Sequence, residues 1–345
     1  MKKMKLLRIA VLFLMASVCL TAWSTTYSGS CGPNAFWEFN TTTKRLSITG
    51  RGEMNDYSTD NIPWKEYRSQ VEYISISYGI TKIGKRAFFS CNFSSVDIPS
   101  SVIRIEEDAF FSCDNLSSVW IPSSVSYLDA QAFYGCDKLS AINVSSDNPN
   151  YTSINGVVFS KDKTKLCLFP SGRTGSYSVP EHVTCIGSYA FVTSLISTVQ
   201  ISNSVREIED GAFTNAKLTS ITIPNSISKI NSRVFLLCFS LESVTIPNSV
   251  KEIGGSAFGY CSKLAHVYIQ SQAGSVVVAA NAFPETTQIH YTGSTGSSST
   301  SSTAKKPAQS APAQEGLSKG ASTGSARTKS SKPAQQSPSK KPLTK

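Results

Sequence analysis

A unit of 22 or 23 residues recurs along the middle of this sequence, and it limits the possible folds more than any other feature. Two consecutive copies read "ITIPNSISKINSRVFLLCFSL" and "VTIPNSVKEIGGSAFGYCSKL". Nine strand-like segments, from Ile74 to Val267, follow one another at steps of 22, 23, 23, 35, 22, 22, 23 and 23 residues. One unit has too few apolar side chains to offset the entropy lost on ordering its residues. Neighbouring units must therefore share buried faces, which predicts a stacked solenoid.

The pattern L-x-x-[VI]-x-I-P-x-S-[VI]-x-x-I-x-x-x-A-F-x-x-C-x-x-L describes each unit. Its first residues alternate between apolar and polar, as in a half-buried strand. The proline ends the strand because it has no N–H to donate, and the Ala-Phe segment is predicted to form a short turn or a helical piece. The period lies within the roughly 20–29 residues of leucine-rich repeats. The predicted fold is a right-handed, β-rich α/β leucine-rich repeat solenoid of about nine rungs over residues 71–291.

Residues 25–70 precede the first rung and are predicted to form a β-hairpin-like N-terminal cap. They contain two short strand patterns, "FWEFN" and "RLSITG", with a turn between them. A solenoid exposes an apolar end unless another segment covers it. The predicted core of this cap consists of Trp37, Leu46, Ile48, Met54 and Trp64.

The 35-residue step belongs to a long atypical unit over residues 142–178. Asn155-Gly156 is a strong turn signal between two short strand patterns. We predict a hairpin-like excursion from Tyr151 to Phe169 that returns to the stack at Tyr177.

Both ends of the chain differ in composition from the repeats. Residues 1–24 combine "MKKMKLLR" with the apolar run "IAVLFLMASVCL", which predicts a secretory signal peptide cleaved after Ser24. A lipoprotein signal through Cys19 is the alternative. Residues 292–345 are basic and rich in Ser, Thr, Pro and Lys, which predicts a disordered tail with weak contacts to anionic envelope polymers.

The net charge of +10 does not describe the repeats themselves. The signal segment contributes four basic residues, and the stretch after residue 291 holds nine basic residues and one acidic one. Residues 25–291 therefore carry a net charge of −2. A near-neutral folded region does not indicate specific binding of nucleic acid.

Eight cysteines remain after the predicted cleavage. Five of them share one column of the repeat: Cys91, Cys113, Cys136, Cys238 and Cys261. We predict that these are structural thiols, because buried cysteine packs as a small apolar residue. Disulfides between neighbouring rungs are the alternative. The states of Cys31, Cys167 and Cys185, which lie outside the column, stay open.

The unit "IPxSVxxIxxxAFxxCxxL" resembles the BspA-like leucine-rich repeats of bacterial and protozoan surface proteins. The opening "SCG…WEF…LSITGRGEMNDY…PW" is similar to the segment that often precedes those repeats, and "NPNYTSINGVVFS" to a longer unit within such arrays. The resemblance covers roughly residues 29–291. It implies an exported, surface-associated protein that binds other macromolecules, as the adhesins of this family do. It implies no catalytic motif and no fixed set of ligand-binding residues.

We expect no enzymatic activity, no cofactor and no metal site. The three histidines, His182, His266 and His290, are each isolated in their own rung, and we interpret them as surface or packing residues. No Cys/His pattern has the spacing of a zinc site. No glycine-rich loop precedes a helix with Lys-Ser/Thr.

The remaining candidate site is the outward stripe of the predicted strands, because the middle residue of each strand points away from its apolar neighbours. The candidate ligand-binding residues are Trp120, Tyr268, Asp97, Asn143, Gln200, Thr222 and Thr245. Trp120 and Tyr268 stand out, since exposed aromatic residues are favoured anchors at interfaces. The alternative for Trp120 is that the hairpin or the cap covers it.

These observations predict a secreted or cell-surface recognition protein. Its expected partner is an extracellular or host-surface protein or glycan. The alternative is a structural envelope component, in which the tail contacts anionic wall or membrane polymers and the solenoid is a spacer.

Overall fold

The computed structural model describes residues 24–293. The predicted signal peptide and the predicted basic tail lie outside these residues, except for Ser24 and residues 292–293. Among the described residues, no helix is long and apolar enough to cross a membrane.

Short strands make up nearly all of the regular structure, and the one helical turn of residues 24–293 is a 3-10 helix over Arg68–Gln70. The strands are Thr26–Ser30 (β1), Ala35–Asn40 (β2), Arg45–Gly50 (β3), Gly52–Glu53 (β4), Tyr73–Ile76 (β5), Ile80–Ile83 (β6), Arg104–Ile105 (β7), Ser118–Ile121 (β8), Tyr127–Leu128 (β9), Ala141–Val144 (β10), Tyr151–Ile154 (β11), Val157–Ser160 (β12), Lys165–Leu168 (β13), Gly175–Ser178 (β14), Cys185–Ile186 (β15), Ile196–Gln200 (β16), Glu207–Ile208 (β17), Ser220–Thr222 (β18), Lys229–Ile230 (β19), Ser243–Ile246 (β20), Glu252–Ile253 (β21), His266–Ile269 (β22), Val277–Val278 (β23) and Gln288–Tyr291 (β24).

The strands of successive rungs stack in parallel and form two columns. The main column contains three ladders, β3 and β5, then β8 and β10, then β14, β16, β18, β20, β22 and β24. The minor column also contains three, β4, β6, β7 and β9, then β13, β15 and β17, then β19, β21 and β23. Equivalent residues pair in register, for example Val199 with Ile221 and Val244 with Val267. The predicted β-rich solenoid with a spacing near 23 residues is therefore confirmed.

One predicted strand is not formed. Val96 and Ile98 are buried, as the alternation predicts, but the segment between them has no strand hydrogen bonding. The main column is consequently interrupted between β5 and β8. The apolar pattern predicts which side chains point inward, but it does not predict whether the backbone forms strand hydrogen bonds.

The Ala-Phe segments form turns and contain no helix. In the first of them, Arg86 and Ser90 have φ values of 56° and 55°, and such left-handed residues cannot continue a right-handed helix. The turns also stack, because the N–H of Phe88 donates to the carbonyl of Ala109 at 2.8 Å. Of the two predicted forms of this segment, the turn is the one present.

Buried phenylalanines run through the core as a ladder, with one ring from each rung. Neighbouring rings lie 4.8–5.3 Å apart between centroids, with interplanar angles of 10–27°. The ladder has two runs, the first with Phe88, Phe110 and Phe133 and the second with Phe169, Phe191, Phe213, Phe235, Phe258 and Phe283. The ring spacing follows the roughly 4.8 Å between neighbouring strands.

The eight cysteines among residues 24–293 are free thiols, as the sequence predicted for the column. Buried column thiols donate to the phenylalanine carbonyl of the preceding rung: Cys113 Sγ lies 3.0 Å from the carbonyl of Phe88, and Cys261 Sγ lies 3.0 Å from that of Phe235. Each such thiol therefore packs as an apolar group and also satisfies a buried carbonyl.

The cap consists of the antiparallel strands β1, β2 and β3. Its five predicted core residues are all buried, and the rings of Trp37 and Trp64 meet edge to face at 5.8 Å. Strand β3 also pairs in parallel with β5, Leu46 opposite Ile74. The parallel stacking thus begins inside the segment predicted to be a cap, one rung earlier than the sequence repeats indicate.

The long atypical unit forms a three-stranded insert, which we call the divider (residues 151–169). Strands β11 and β12 are antiparallel, and the turn between them has Asn155 at φ 51° and Gly156 at φ 75°, as the Asn-Gly signal predicts. Strand β13 then returns antiparallel to β12 and pairs in parallel with β15.

The divider lies inside the stack, so the predicted excursion away from it is wrong. Val157, Val158 and Phe159 are all buried, because apolar cores pack on both faces of β12. Val158 belongs to the N-terminal core, whereas Phe159 and Leu166 belong to the C-terminal core. The buried run "VVF" is the sequence signal for a strand covered on both faces.

On the side of the solenoid formed by the Ala-Phe turns, rungs before and after the divider are in direct contact. The Asn215 amide donates to the Tyr134 hydroxyl at 3.2 Å, and the Gly135 N–H donates to Thr193 Oγ1 at 2.9 Å. These buried contacts are polar, so hydrogen bonds join the two parts of the solenoid at this corner.

Candidate binding face

The outward side chains of the main column lie on one side of the solenoid, and we call this surface the strand face. In β8 the alternation is complete, since Val119 and Ile121 are buried and Trp120 points outward. The strand face contains Ser75, Asp97, Trp120, Asn143, Ser178, Gln200, Thr222, Thr245, Tyr268 and His290.

Six of the seven predicted binding residues are exposed, and Asn143 is half-buried. Asn143 is partly covered because the divider lies beside β10: the N–H of Ile142 donates to the carbonyl of Gly156 at 2.9 Å, and that of Val144 to Ser153 Oγ at 2.9 Å. The divider therefore separates the strand face into two patches.

The N-terminal patch is centred on Trp120, which is 57% exposed. Neither the hairpin nor the cap covers the indole, so the alternative considered from the sequence is wrong. Trp120 lies opposite Asn143 in the strand register, and Asp97 is exposed in the preceding rung. A large rigid ring thus projects from a surface of smaller polar side chains.

The C-terminal patch is a regular row on neighbouring strands. Gln200 pairs with Thr222, Thr222 with Thr245, and Thr245 with Tyr268. Tyr268 is 39% exposed and pairs with His290 on the last strand. The row contains no Asp, Glu, Lys or Arg.

The outward side of the minor column is different, because its charges pair with one another. Lys82 Nζ lies 3.2 Å from Asp56, Arg104 Nε lies 2.7 Å from Glu106, and Lys229 Nζ lies 2.9 Å from Glu252. The outward side of the minor column therefore offers mainly paired charges to a partner, whereas the strand face offers neutral polar side chains and an exposed indole.

The family known as the BspA type leucine rich repeat region matches residues 66–176 and 168–290, in six copies. These matches span more than half of the 345 residues. The chain belongs to this family. No curated protein sequence matches it.

Solved structures with the same fold as this BspA-type protein come from bacteria. A leucine-rich repeat protein from Eubacterium ventriosum has 21% identity and a TM-score of 0.51, over 80% of this chain and 98% of that one. A leucine rich cell surface protein from Faecalibacterium prausnitzii has 20% identity and a TM-score of 0.51, over 78% and 95%. The pneumococcal vaccine antigen PcpA has 19% identity and a TM-score of 0.50, over 78% and 93%.

The BspA-type solenoid contains one cluster of three potential metal ligands among residues 24–293, formed by Cys185, Glu207 and Glu209 within 4.8 Å. Glu209 already accepts from Lys165 Nζ at 2.6 Å and from the N–H of Ser188 at 2.8 Å. Burial raises the pKa of Glu209, but the contacts with Lys165 and Ser188 outweigh this effect, and the pKa is lowered overall. Burial, and to a smaller extent the neighbouring Glu209, raises the pKa of the Cys185 thiol to about 12. The cluster is a protonated thiol beside an ion pair, which disfavours cation binding.

A cavity of about 340 Å³ lies where the cap meets the first rungs. Its charged lining residues are Arg51, Glu53, Asp56 and Lys82. Lys82 Nζ lies 3.4 Å from Glu53 and 3.2 Å from Asp56, so most of these charges are already paired. The cavity therefore resembles a solvated ion-pair network more than a reaction site.

The structure brings together two residues that the sequence analysis treated as isolated. His266 Nδ1 and His290 Nε2 lie 3.2 Å apart on β22 and β24. They are 24 residues apart in the chain, and His266 pairs with Gln288, so His290 lies two residues beyond the equivalent position in the next rung. Aligning the two rungs with this register would have shown the proximity. Neither belongs to a motif that a linear search finds.

The thiols of this BspA-type protein are expected to react slowly in the folded chain. Burial raises the pKa of Cys167 to about 11 and that of Cys185 to about 12. At pH 8 their thiolate fraction is then roughly 100-fold or more below that of an unperturbed cysteine. Iodoacetamide labelling followed by mass spectrometry should show this protection in buffer and its loss in denaturant. Rapid native labelling of buried Cys113 would contradict the packing described here.

Proposed function

We propose that this protein is a non-enzymatic recognition protein, exported from the cell, which binds an extracellular protein through its strand face. The observation that carries the proposal is the exposure of Trp120 on a rigid surface of small polar residues. The solenoid supports this role because its stacked rungs hold outward side chains at regular spacing, and β8 holds Trp120 in register with Asn143 of β10.

An exposed tryptophan contributes less to folding stability than a buried one. Large apolar rings at the surface lose the free energy that burial would supply, roughly 1.5–3 kcal/mol for a large side chain. The centres of protein interfaces are enriched in Trp and Tyr and depleted in charged residues. The Trp120 patch has one such exposed ring, with Asn143 opposite it on β10 and Asp97 as the acidic residue of the preceding rung.

The family and the sequence support location at the cell surface. The similar structure from Faecalibacterium prausnitzii is of a cell surface protein, and the pneumococcal one is of a vaccine antigen. Residues 1–24 have the pattern of a secretory signal. We extend these properties to this chain as part of the proposal.

Trp120→Ser is expected to weaken binding by about 30-fold, because an interface anchor contributes on the order of 2 kcal/mol. The mature chain would be immobilised and titrated with a panel of host matrix proteins and, separately, with glycans and envelope polymers. Tyr78→Ser is the matched control, since Tyr78 is 79% exposed and lies in the turn between β5 and β6, outside the strand face.

Saturable binding of a protein that falls with Trp120→Ser and persists with Tyr78→Ser would support the proposal. Binding of glycans alone would replace the proposed partner class while keeping the face. Equal binding by both variants would remove the strand face from the mechanism.

A further inference from the structure

Three aromatic rings form a cluster at the C-terminal end of the strand face. The centroids of His266 and His290 are 5.4 Å apart, and the ring of His290 stacks on Tyr268 at 5.1 Å with an interplanar angle of 19°. Both histidines are half-buried, so the cluster is open to solvent on one side and supported by the strands on the other. The function proposed above does not require this arrangement.

The separation between the two facing nitrogens matches that of two ligands on one metal ion. Zinc binds imidazole nitrogen at about 2.0–2.1 Å, so two nitrogens at a tetrahedral angle lie roughly 3.3–3.4 Å apart. His266 Nδ1 and His290 Nε2 are 3.2 Å apart. We propose that this pair is a binding site for a divalent transition-metal cation of the zinc type, with water in the remaining positions.

The separation of the two nitrogens requires little change on binding. Without metal, one imidazole donates a hydrogen bond to the other across the 3.2 Å gap. When a cation enters, the donating ring carries its proton on its other nitrogen, and both rings bind as neutral ligands. The backbone is already fixed, because Tyr268 pairs with His290 and Val267 with Ile289 between β22 and β24.

The stacked tyrosine orients one of the ligands. Tyr268 lies against the face of His290, which restricts rotation of the imidazole and keeps Nε2 directed at His266. Groups that hold a ligating histidine in place commonly contribute to metal affinity. Imidazole ligands favour Zn²⁺, Ni²⁺ and Cu²⁺ over Mg²⁺ and Ca²⁺, which prefer oxygen ligands.

The test uses the full chain, whose three histidines give a simple imidazole spectrum. Zn²⁺ alone would be titrated while the imidazole resonances are followed by NMR. We expect His266 and His290 to shift together and to saturate at one equivalent, while Mg²⁺ at the same concentration shifts neither. His182→Asn is the matched control, because His182 is exposed and lies on a different rung.

His266→Asn and His290→Asn should each weaken Zn²⁺ binding by at least about tenfold, since loss of a ligand exceeds the roughly 10–100-fold cost of losing a supporting group. Circular dichroism would establish that each variant is folded. Equal, unsaturated shifts of all three histidines would overturn the proposal. Zn²⁺ binding that persists unchanged in both variants would also overturn it, by placing the cation elsewhere, for example on thiols.

Discussion

Replacement of Phe213 by alanine is expected to lower the free energy of unfolding by about 3–5 kcal/mol, as for other buried phenylalanines. Phe213 is fully buried, and its ring stacks on Phe191 at 4.8 Å and on Phe235 at 5.3 Å. Removal of the ring leaves a cavity in the middle of the ladder. The stacked rungs cannot close this cavity, because their spacing is fixed by the hydrogen bonds of the turns and strands. Urea unfolding followed by circular dichroism measures the loss.

Phe239→Ala is the matched control for this substitution. Phe239 is 42% exposed and lies outside the ladder, so its replacement should change the free energy of unfolding by less than about 1 kcal/mol. If the two variants were equally stable, the ladder would not be the main source of cohesion between rungs.

Asn148→Ala is expected to cost about 3 kcal/mol, although the residue is polar and lies in a loop before β11. Asn148 is fully buried, and its amide donates to the carbonyls of Pro122 at 3.0 Å and Val125 at 2.9 Å. Its side-chain oxygen accepts from the N–H groups of Asn150 and Tyr151, both at 2.9 Å. Alanine would remove a hydrogen-bond partner from four backbone groups, two of them in buried bonds and two in half-buried ones. A buried group left unsatisfied costs roughly 1–3 kcal/mol before relaxation.

Thermal and urea unfolding of Asn148→Ala would be compared with Asn150→Ala, whose side chain is exposed. The control should be nearly neutral. A loss below about 1 kcal/mol for Asn148→Ala would mean that water replaces the amide and that this residue does not fix the entry to the divider.

The repeat predicted the parts of the fold that are set by side-chain burial. The alternation in "VWIP" placed Trp120 outward and Val119 inward, and the structure agrees. The cysteine column followed from composition and spacing in the same way. These features depend on one residue at a time, so a pattern in the sequence is enough to predict them.

Features that depend on contacts between rungs were harder to predict. The sequence showed the Asn155-Gly156 turn, yet the path of the divider depends on which cores pack on the two faces of β12. The break at Val96 concerns backbone hydrogen bonds, which the side-chain pattern does not report. The proximity of His266 and His290 arises from two neighbouring rungs and is invisible within either unit.

The divider also bears on how a chain of near-identical units finds its correct partners during folding. Each rung presents almost the same edge, so a strand that pairs one rung too early or too late meets a similar surface, and misassembly of this kind is a characteristic failure of repeat proteins. Strand β12 has no counterpart among the other rungs, and it contributes Val158 to one core and Phe159 to the other. Strand β12 can therefore pair correctly at one position in the stack. This limits the number of interchangeable rungs on either side and restricts how far a pairing error can extend.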